Sequence, residues 1–153
     1  MFGSLVNYAD VNYYKKAPFI VLDTGKEKVT WVIFAMFYAN SLEEQGPIFY
    51  YNKVQFNSDA EYGTFLKRMV VRSVVNTGVD VNASDSILTL STCAYNFEDA
   101  RFAVIARKLR PGEKASIAGN KISKNANALY PDIWYQTHGG TKPDEQQLID
   151  ALG

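Results

Sequence analysis

The only cysteine of the chain, Cys93, is followed eight residues later by Arg101. Short apolar and β-branched runs flank the pair at residues 87–90 and 102–106, so residues 94–100 are predicted to form a hairpin loop. Cys93 then closes one strand and Arg101 opens the next. Opposed residues of an antiparallel pair have Cβ atoms about 4.5–5.5 Å apart, within reach of a guanidinium. The pattern predicts a thiolate nucleophile beside a fixed positive charge.

Both residues have a second interpretation. A lone cysteine is commonly a buried structural thiol, and Arg101 is alternatively a solvated strand-end cation paired with Glu98 or Asp99. The position of Cys93 at a strand end, after the polar residues Ser91 and Thr92 and with an arginine opposite, favours the nucleophile.

The segment Thr89-Leu90-Ser91-Thr92-Cys93 with its downstream Arg101 resembles the active-site signature of the class B sortases, the cysteine transpeptidases that attach proteins to the Gram-positive cell wall. The resemblance covers most of the chain. Residues 59–78 resemble the long helix before the family's cysteine strand, residues 1–8 the short helix after its catalytic histidine, and residues 131–135 its C-terminal region.

The resemblance implies thiol transpeptidation. Cys93 would attack the threonine carbonyl of a sorting signal, in the family usually an Asn-Pro-x-Thr or Leu-Pro-x-Thr motif, and a cell-wall peptide amine would resolve the thioacyl intermediate. Arg101 would donate to the oxyanion or position peptide carbonyls, with the backbone N–H of Ala94 as a second donor. Ser91 and Thr92 would contact the peptide or serve only as polar strand residues. Some members carry an acid at the position of Ala94, so no role that needs this acid is carried over.

The resemblance also implies a catalytic histidine shortly before the Met-Phe segment with which this chain opens. We therefore expect residues 1–153 to be a single sortase-like domain that lacks its N-terminal strands and catalytic histidine. The one histidine, His138, precedes Gly139 and Gly140 at a predicted helix C-terminus, where an imidazolium is electrostatically favourable. We favour this interpretation over a Cys-His pair formed in space.

Composition excludes several classes of function. Sixteen basic and sixteen acidic residues cancel without a basic stripe, so a nucleic-acid partner lacks its usual electrostatic basis. The longest apolar stretch, residues 32–39, is far below the roughly 20 residues of a membrane helix; the family nevertheless implies a membrane-anchored parent with an extracellular catalytic domain. A single cysteine excludes an internal disulfide, and without Cys-rich metal spacing we expect no metal and no cofactor.

The elements that must position Cys93 are mainly β with helices, an α+β arrangement. Helices are predicted at residues 2–8, 11–16, 59–78, 129–136 and 144–152, and strands at 19–22, 28–38, 87–93 and 102–109. Asp59 is predicted to cap the long helix or to lie in its first turn, with Ser58 as the alternative cap, and the helix is predicted to end at Gly78. Its apolar stripe comprises Tyr62, Phe65, Leu66, Met69, Val70 and Val74. With the resemblance, this predicts a partial sortase-type β-barrel with a long helix before the cysteine strand.

Two further questions stay open at this level. The aromatic residues Phe49, Tyr50 and Tyr51, in the loop of residues 40–57, either cap the core or line a groove. The chain is either a transpeptidase or a catalytically inactive sortase remnant or peptide-binding module. In both cases a barrel without some of its strands has unpaired edges, so we expect self-association through an exposed strand edge.

Overall fold

The structure, a computed structural model, describes residues 2–153 and has the predicted mixed α+β architecture. Met1, the first residue of the segment at positions 1–8 discussed above, lies outside this range. In chain order the elements are a 3-10 helix Gly3–Ala9, α1 Val11–Lys16, β1 Phe19–Asp23, β2 Lys28–Ala39, a 3-10 helix Glu43–Gln45, α2 Asp59–Arg72, β3 Val75–Asn76, β4 Ile87–Cys93, β5 Arg101–Lys108, β6 Ser123–Lys124, α3 Asp132–His138 and α4 Glu145–Ala151. No helix within residues 2–153 is both long enough and apolar enough to cross a membrane.

Four strands form a curled antiparallel half-barrel in the order β1-β2-β5-β4. Residues 32–37 of β2 and 102–106 of β5 are buried on both faces of the sheet, as their continuous apolar sequence predicts. The register between these two strands shifts between Ile33 and Ala35. β4 lies at one edge and places Cys93 at the end of the strand, next to the buried β5.

The sheet separates two apolar cores. One lies under α2 and contains Phe34, Phe37, Phe65, Leu66 and Met69. The other lies under the N-terminal helical segment and contains Tyr14, Ile33, Met36, Phe102 and Val104. The two cores hold β2 and β5 from both sides, so the strand that carries Arg101 is rigidly supported.

The long helix ends earlier than predicted. It begins after the cap Ser58, whose Oγ accepts the Glu61 N–H at 3.1 Å, but it ends at Arg72 rather than near Gly78. Ser73 is extended because its Oγ accepts the Met36 N–H at 3.1 Å and donates to the Val75 carbonyl at 2.7 Å. Val74 is therefore buried as part of an extended segment beside β2, and not on the helical stripe.

Smaller differences have similar causes. The predicted loop at residues 120–127 contains β6, because Ser123 and Lys124 pair with β3. The helix predicted from residue 129 begins at Asp132, since Pro131 is extended (ψ 155°) and occupies the N-cap position. The opening helix is a 3-10 helix.

An ion pair braces the end of β5 farthest from Arg101. The Arg107 side chain is only 3% exposed, and its two terminal nitrogens donate to both carboxylate oxygens of Glu113 at 2.7 and 2.8 Å. The same guanidinium donates to the Asp80 carbonyl at 2.7 Å. The hydrogen bonds from Arg107 lower the pKa of Glu113 to about 2.

Candidate functional site

Cys93 and Arg101 face each other at the open end of the hairpin that β4 and β5 form. They are register partners, and Arg101 Nη1 lies 3.6 Å from Cys93 Sγ. The thiol is exposed to solvent rather than buried. The arrangement brings a guanidinium to an accessible sulfur, as the spacing of the two residues predicts.

The carboxylates of the alternative interpretation do not engage Arg101. Its Nη1 also approaches the backbone carbonyls of Asp99 and Ala100, at 3.5 and 3.3 Å. Within residues 2–153, neither Glu98 nor Asp99 forms an ion pair with it. The positive charge beside Sγ is therefore not neutralised by a neighbouring acid.

The backbone N–H of Ala94, predicted as a second oxyanion donor, is already hydrogen-bonded within the loop of residues 94–100. The Ala94 N–H donates to the Ala100 carbonyl at 2.9 Å, and the Ala94 side chain is 5% exposed and packs in the core under the N-terminal helices. This residue thus presents neither its N–H nor its side chain to a substrate in this structure. Ala94 is therefore not proposed as an oxyanion donor or a substrate-binding residue.

The loop is also tied to the segment that follows β2. Ser41 Oγ donates to the Asp99 carbonyl at 2.7 Å, and Gln45 Nε2 donates to the Glu98 carbonyl at 2.8 Å. The first contact joins two residues that are 58 positions apart in the sequence, and the second joins two that are 53 positions apart. No local sequence pattern predicts such contacts, so neither Ser41 nor Gln45 was expected at the site.

A groove lies beside β4. It has a volume of about 880 Å³ and is lined by residues 85–89 and Ser91 on one side and by residues 51–54, 56–59 and 62 on the other. Alternate strand residues share one face, so Cys93 is the next residue on the groove-lining side of β4. The groove therefore runs along the face of β4 that also carries Cys93, and Ser91 is the lining residue nearest to it in sequence.

The free edge of β4 adds backbone groups to the same side. Lys108 N–H donates to the Ser86 carbonyl and Ala94 N–H to the Ala100 carbonyl, both at 2.9 Å. These bonds fix which residues of the antiparallel pair turn their backbone toward β5. The backbone N–H and C=O groups of the alternate residues, Thr89, Ser91 and Cys93 among them, consequently point to the free edge.

The aromatic residues of the loop before α2 take both predicted roles. Phe49 is buried, with its ring centroid 5.9 Å from Phe37 and 5.7 Å from Phe65. Tyr51 forms part of the groove wall, where its hydroxyl lies 2.8 Å from Ser91 Oγ. Tyr50 is 63% exposed.

The structure separates the residues that the motif groups together. Ser91 lines the groove. Thr92 alternates to the opposite face, where its register partner Phe102 is part of the core under the N-terminal helices. Of the three predicted peptide contacts Ser91, Thr92 and Ala94, only Ser91 thus lies in the groove.

His138 is the last residue of α3, in agreement with the helix-terminus interpretation. Its ring stacks on Trp134 with centroids 3.9 Å apart and planes 8° apart. Its Nδ1 lies 2.9 Å from Thr137 Oγ1 and 3.1 Å from the Trp134 carbonyl. In the described part of the chain, no hydrogen bond or ring contact joins His138 to Cys93 or Arg101.

Comparison with known proteins finds no matching family model, but two curated relatives. Sortase B of Staphylococcus aureus (strain NCTC 8325 / PS 47) is 30% identical over 112 residues, which are 72% of this chain and 43% of that protein. Sortase B of Listeria monocytogenes serovar 1/2a is 29% identical over 93 residues, which are 61% of this chain and 35% of that protein. The chain thus spans less than half the length of these relatives.

Solved structures with the same fold are also sortases of class B. The structure of Clostridium perfringens sortase B matches with a TM-score of 0.62 and 29% identity, over 72% of this chain and 58% of that chain. A Staphylococcus aureus sortase B-substrate complex matches with a TM-score of 0.62 and 29% identity, over 72% and 49%. A sortase B complexed with Gly3 matches with a TM-score of 0.61 and 29% identity, over 72% and 50%.

Proposed function

Because the chain belongs to the sortase B family, by homology over about 72% of its length, we propose that it carries the nucleophile and the oxyanion-binding arginine of a cysteine transpeptidase. The observation that supports this most directly is the exposed Cys93 thiol, which lies 3.6 Å from the Arg101 guanidinium and two residues beyond Ser91 of the groove wall.

The proposed reaction has two steps at one sulfur. Cys93 Sγ attacks the carbonyl carbon of the threonine in a sorting signal, the following peptide bond breaks, and the C-terminal fragment leaves as a protonated amine. A cell-wall peptide amine then attacks the thioester, forms a new amide and releases the thiol. In this proposal Arg101 donates to the oxygen that becomes negative in both steps, and Ser91 contacts the bound peptide.

Two solved structures support the proposed partners. One is a Staphylococcus aureus sortase B-substrate complex, and the other is a sortase B complexed with Gly3. We therefore assign the groove along β4 to a sorting-signal peptide, and the acceptor to a peptide amine of the cell wall. An extracellular, membrane-anchored parent is part of the same proposal.

The leaving amine needs a proton, and His138, the chain's one histidine, is stacked on Trp134. We therefore propose that the described chain supports acylation of Cys93 when the leaving group needs no protonation. Cleavage of an ordinary amide then requires a proton donor other than the residues of this segment. This stacking of His138 also favours the alternative function, a peptide-binding module without turnover.

A pair of substrates tests the proposal. A Thr-containing sorting peptide is prepared once as an aryl ester and once as an amide, and the mass of the protein is followed by mass spectrometry. We expect an adduct on Cys93 with the ester, none with Cys93→Ala, and amide cleavage that grows with added imidazole. Binding of both peptides without any adduct would instead establish the alternative function.

A further inference from the structure

We infer that Ser41 and Gln45 are positioning residues for Arg101, acting through the backbone of the loop at residues 94–100. The role of Arg101 in catalysis rests on the proposed function, whereas the way Ser41 and Gln45 position its guanidinium does not. Both side chains donate a short hydrogen bond to this loop, from Ser41 to the Asp99 carbonyl at 2.7 Å and from Gln45 to the Glu98 carbonyl at 2.8 Å.

The loop carbonyls matter because they hold the guanidinium. Arg101 Nη1 contacts the Asp99 and Ala100 carbonyls at 3.5 and 3.3 Å and Cys93 Sγ at 3.6 Å. Each of these contacts is long, and a hydrogen bond of such length is weak. The position of the guanidinium therefore depends on how well the two carbonyls are fixed.

The backbone conformation of Asp99 is unfavourable on its own and needs support from neighbouring residues. Its φ of 51° lies in the left-handed region, and Asp99 is the one non-glycine residue of the described chain with positive φ. Such a conformation costs free energy, and it persists where the surroundings impose it. The hydrogen bond from Ser41 reaches the carbonyl of this same residue, so it opposes relaxation of the loop at its strained position.

The segment that donates these bonds is itself well anchored. Asn40 is buried, and its Nδ2 donates to the Leu42 and Gly46 carbonyls at 3.1 and 2.8 Å, which closes residues 40–46 into a compact turn. This turn directly follows Ala39, the β2 register partner of Arg101. The compact turn at residues 40–46, next to Arg101 on the β2 side, thus holds the loop at residues 94–100 through Ser41 and Gln45.

The Gln45 side chain makes a one-sided contribution. Residue 45 is 6% exposed, and its Oε1 is buried without a partner within residues 2–153. A buried acceptor without a partner is unfavourable and offsets much of the stabilisation from the Nε2 bond. Replacement of Gln45 by methionine removes both polar atoms and keeps the length of the side chain. The variant is therefore expected to fold and to lose only the hydrogen bond to the Glu98 carbonyl.

Alkylation of the sole cysteine tests the inference without any peptide. The full chain is treated with iodoacetamide over a pH series, and the modified fraction is read by mass spectrometry. We expect Gln45→Met and Ser41→Ala each to slow alkylation at neutral pH about fivefold, the effect of losing one hydrogen bond, and to move the rate-pH profile toward that of Arg101→Ala. Ser41→Thr, which keeps the hydroxyl, and Gln147→Met, at an exposed position of α4, should match the unmodified chain.

A second background decides whether the effect passes through Arg101. In Arg101→Ala chains, Gln45→Met should cause no further slowing. Equal slowing in both backgrounds, or an unchanged profile in folded Gln45→Met chains, would overturn the inference. If Gln45→Met does not fold, the exposed Ser41→Ala carries the same comparison. A failed acylation of Cys93 by sorting peptide leaves these outcomes unaffected, so the two proposals fail independently.

Discussion

The Tyr51 hydroxyl lies 2.8 Å from Ser91 Oγ, which connects the loop before α2 to the strand that ends at Cys93. We predict that Tyr51→Phe lowers kcat/KM for acylation by a sorting peptide ester about fivefold, because one hydrogen bond that shapes the groove is lost. Alkylation of Cys93 by iodoacetamide should not change, since so small a reagent needs no groove. Tyr50→Phe, at a 63% exposed ring, is the matched control; an equal loss there would contradict the assignment of the groove.

The charge and the geometry of Arg101 are separable. Arg101→Ala removes both, while Arg101→Lys keeps a cation on a flexible stem without the planar fork. We expect acylation by the peptide ester to fall about 100-fold in the alanine variant, the size of losing one oxyanion donor, with lysine in between. Because the site is open to solvent, added salt should reduce the advantage of the lysine variant over alanine. Unchanged acylation in Arg101→Ala would refute the proposed role.

His138 is expected to contribute to local packing and not to chemistry. Its ring covers Trp134 at 3.9 Å, and an aromatic pair of this kind stabilises by about 0.5–1.5 kcal/mol. His138→Ala should therefore lower stability by about that amount and change Trp134 fluorescence. The rates of Cys93 alkylation and of ester acylation should stay the same at every pH. Amide cleavage without added imidazole that is lost in folded His138→Ala chains would instead make this residue the proton donor.

The pairing of Glu113 with Arg107 predicts how stability depends on pH. The pKa of Glu113 is held at about 2, below its ordinary value of 4.5, so the pair stabilises the fold fully above pH 4.5. This contribution is lost as the pH falls from 4.5 toward 2.

Glu113→Gln tests this dependence by urea unfolding at several pH values. We expect the variant to be about 2–3 kcal/mol less stable at neutral pH, somewhat less than a fully unpaired buried charge would cost, because Arg107 keeps only the longer contact with the Asp80 carboxylate at 3.6 Å. The variant should also lose less stability than the unmodified chain on acidification. A smaller slope should remain from Asp85, whose pKa is lowered by hydrogen bonds from Arg110. Glu27→Gln, at an exposed turn, should behave like the unmodified chain.

The free edge of β4 predicts self-association. Residues 87–93, Ile-Leu-Thr-Leu-Ser-Thr-Cys, contain neither a charge nor a proline, the devices that usually protect an edge strand. We propose that two copies pair along this edge, and sedimentation velocity should show a concentration-dependent dimer. Thr89→Pro removes an N–H that points to the free edge and should give a monomer. A well-folded unmodified chain that stays monomeric at every concentration would exclude the proposal.

The parts of the site that sequence predicts are those built from neighbouring residues. Cys93 and Arg101 are joined by a short loop between two apolar runs, so strand periodicity and a hairpin suffice to place them together. The same periodicity separates Ser91 from Thr92, a distinction that is hidden when the motif is taken as one block. The contacts of Ser41 and Gln45 join residues more than 50 positions apart, and no local signal encodes them.

The end of α2 could not be predicted from the sequence either, because it depends on packing against a distant strand. The apolar spacing continues to Val74, and that position is indeed buried. Whether Val74 is buried from a helix or from an extended segment depends on the Ser73 hydroxyl, which binds the backbone of Met36 in β2. Such a competition between a helix and a distant strand is settled only in the assembled fold.

Ser41 and Gln45 bind main-chain carbonyls of the loop at residues 94–100. These two hydrogen bonds therefore do not depend on which side chains the loop residues carry. Tyr95 is 95% exposed, and the hydrogen bonds from Ser41 and Gln45 go to the Asp99 and Glu98 carbonyls. The loop can therefore be given new side chains at positions 95 and 98 while the guanidinium keeps its place. In a directed-evolution experiment these two positions can be randomised with Cys93 and Arg101 left in register.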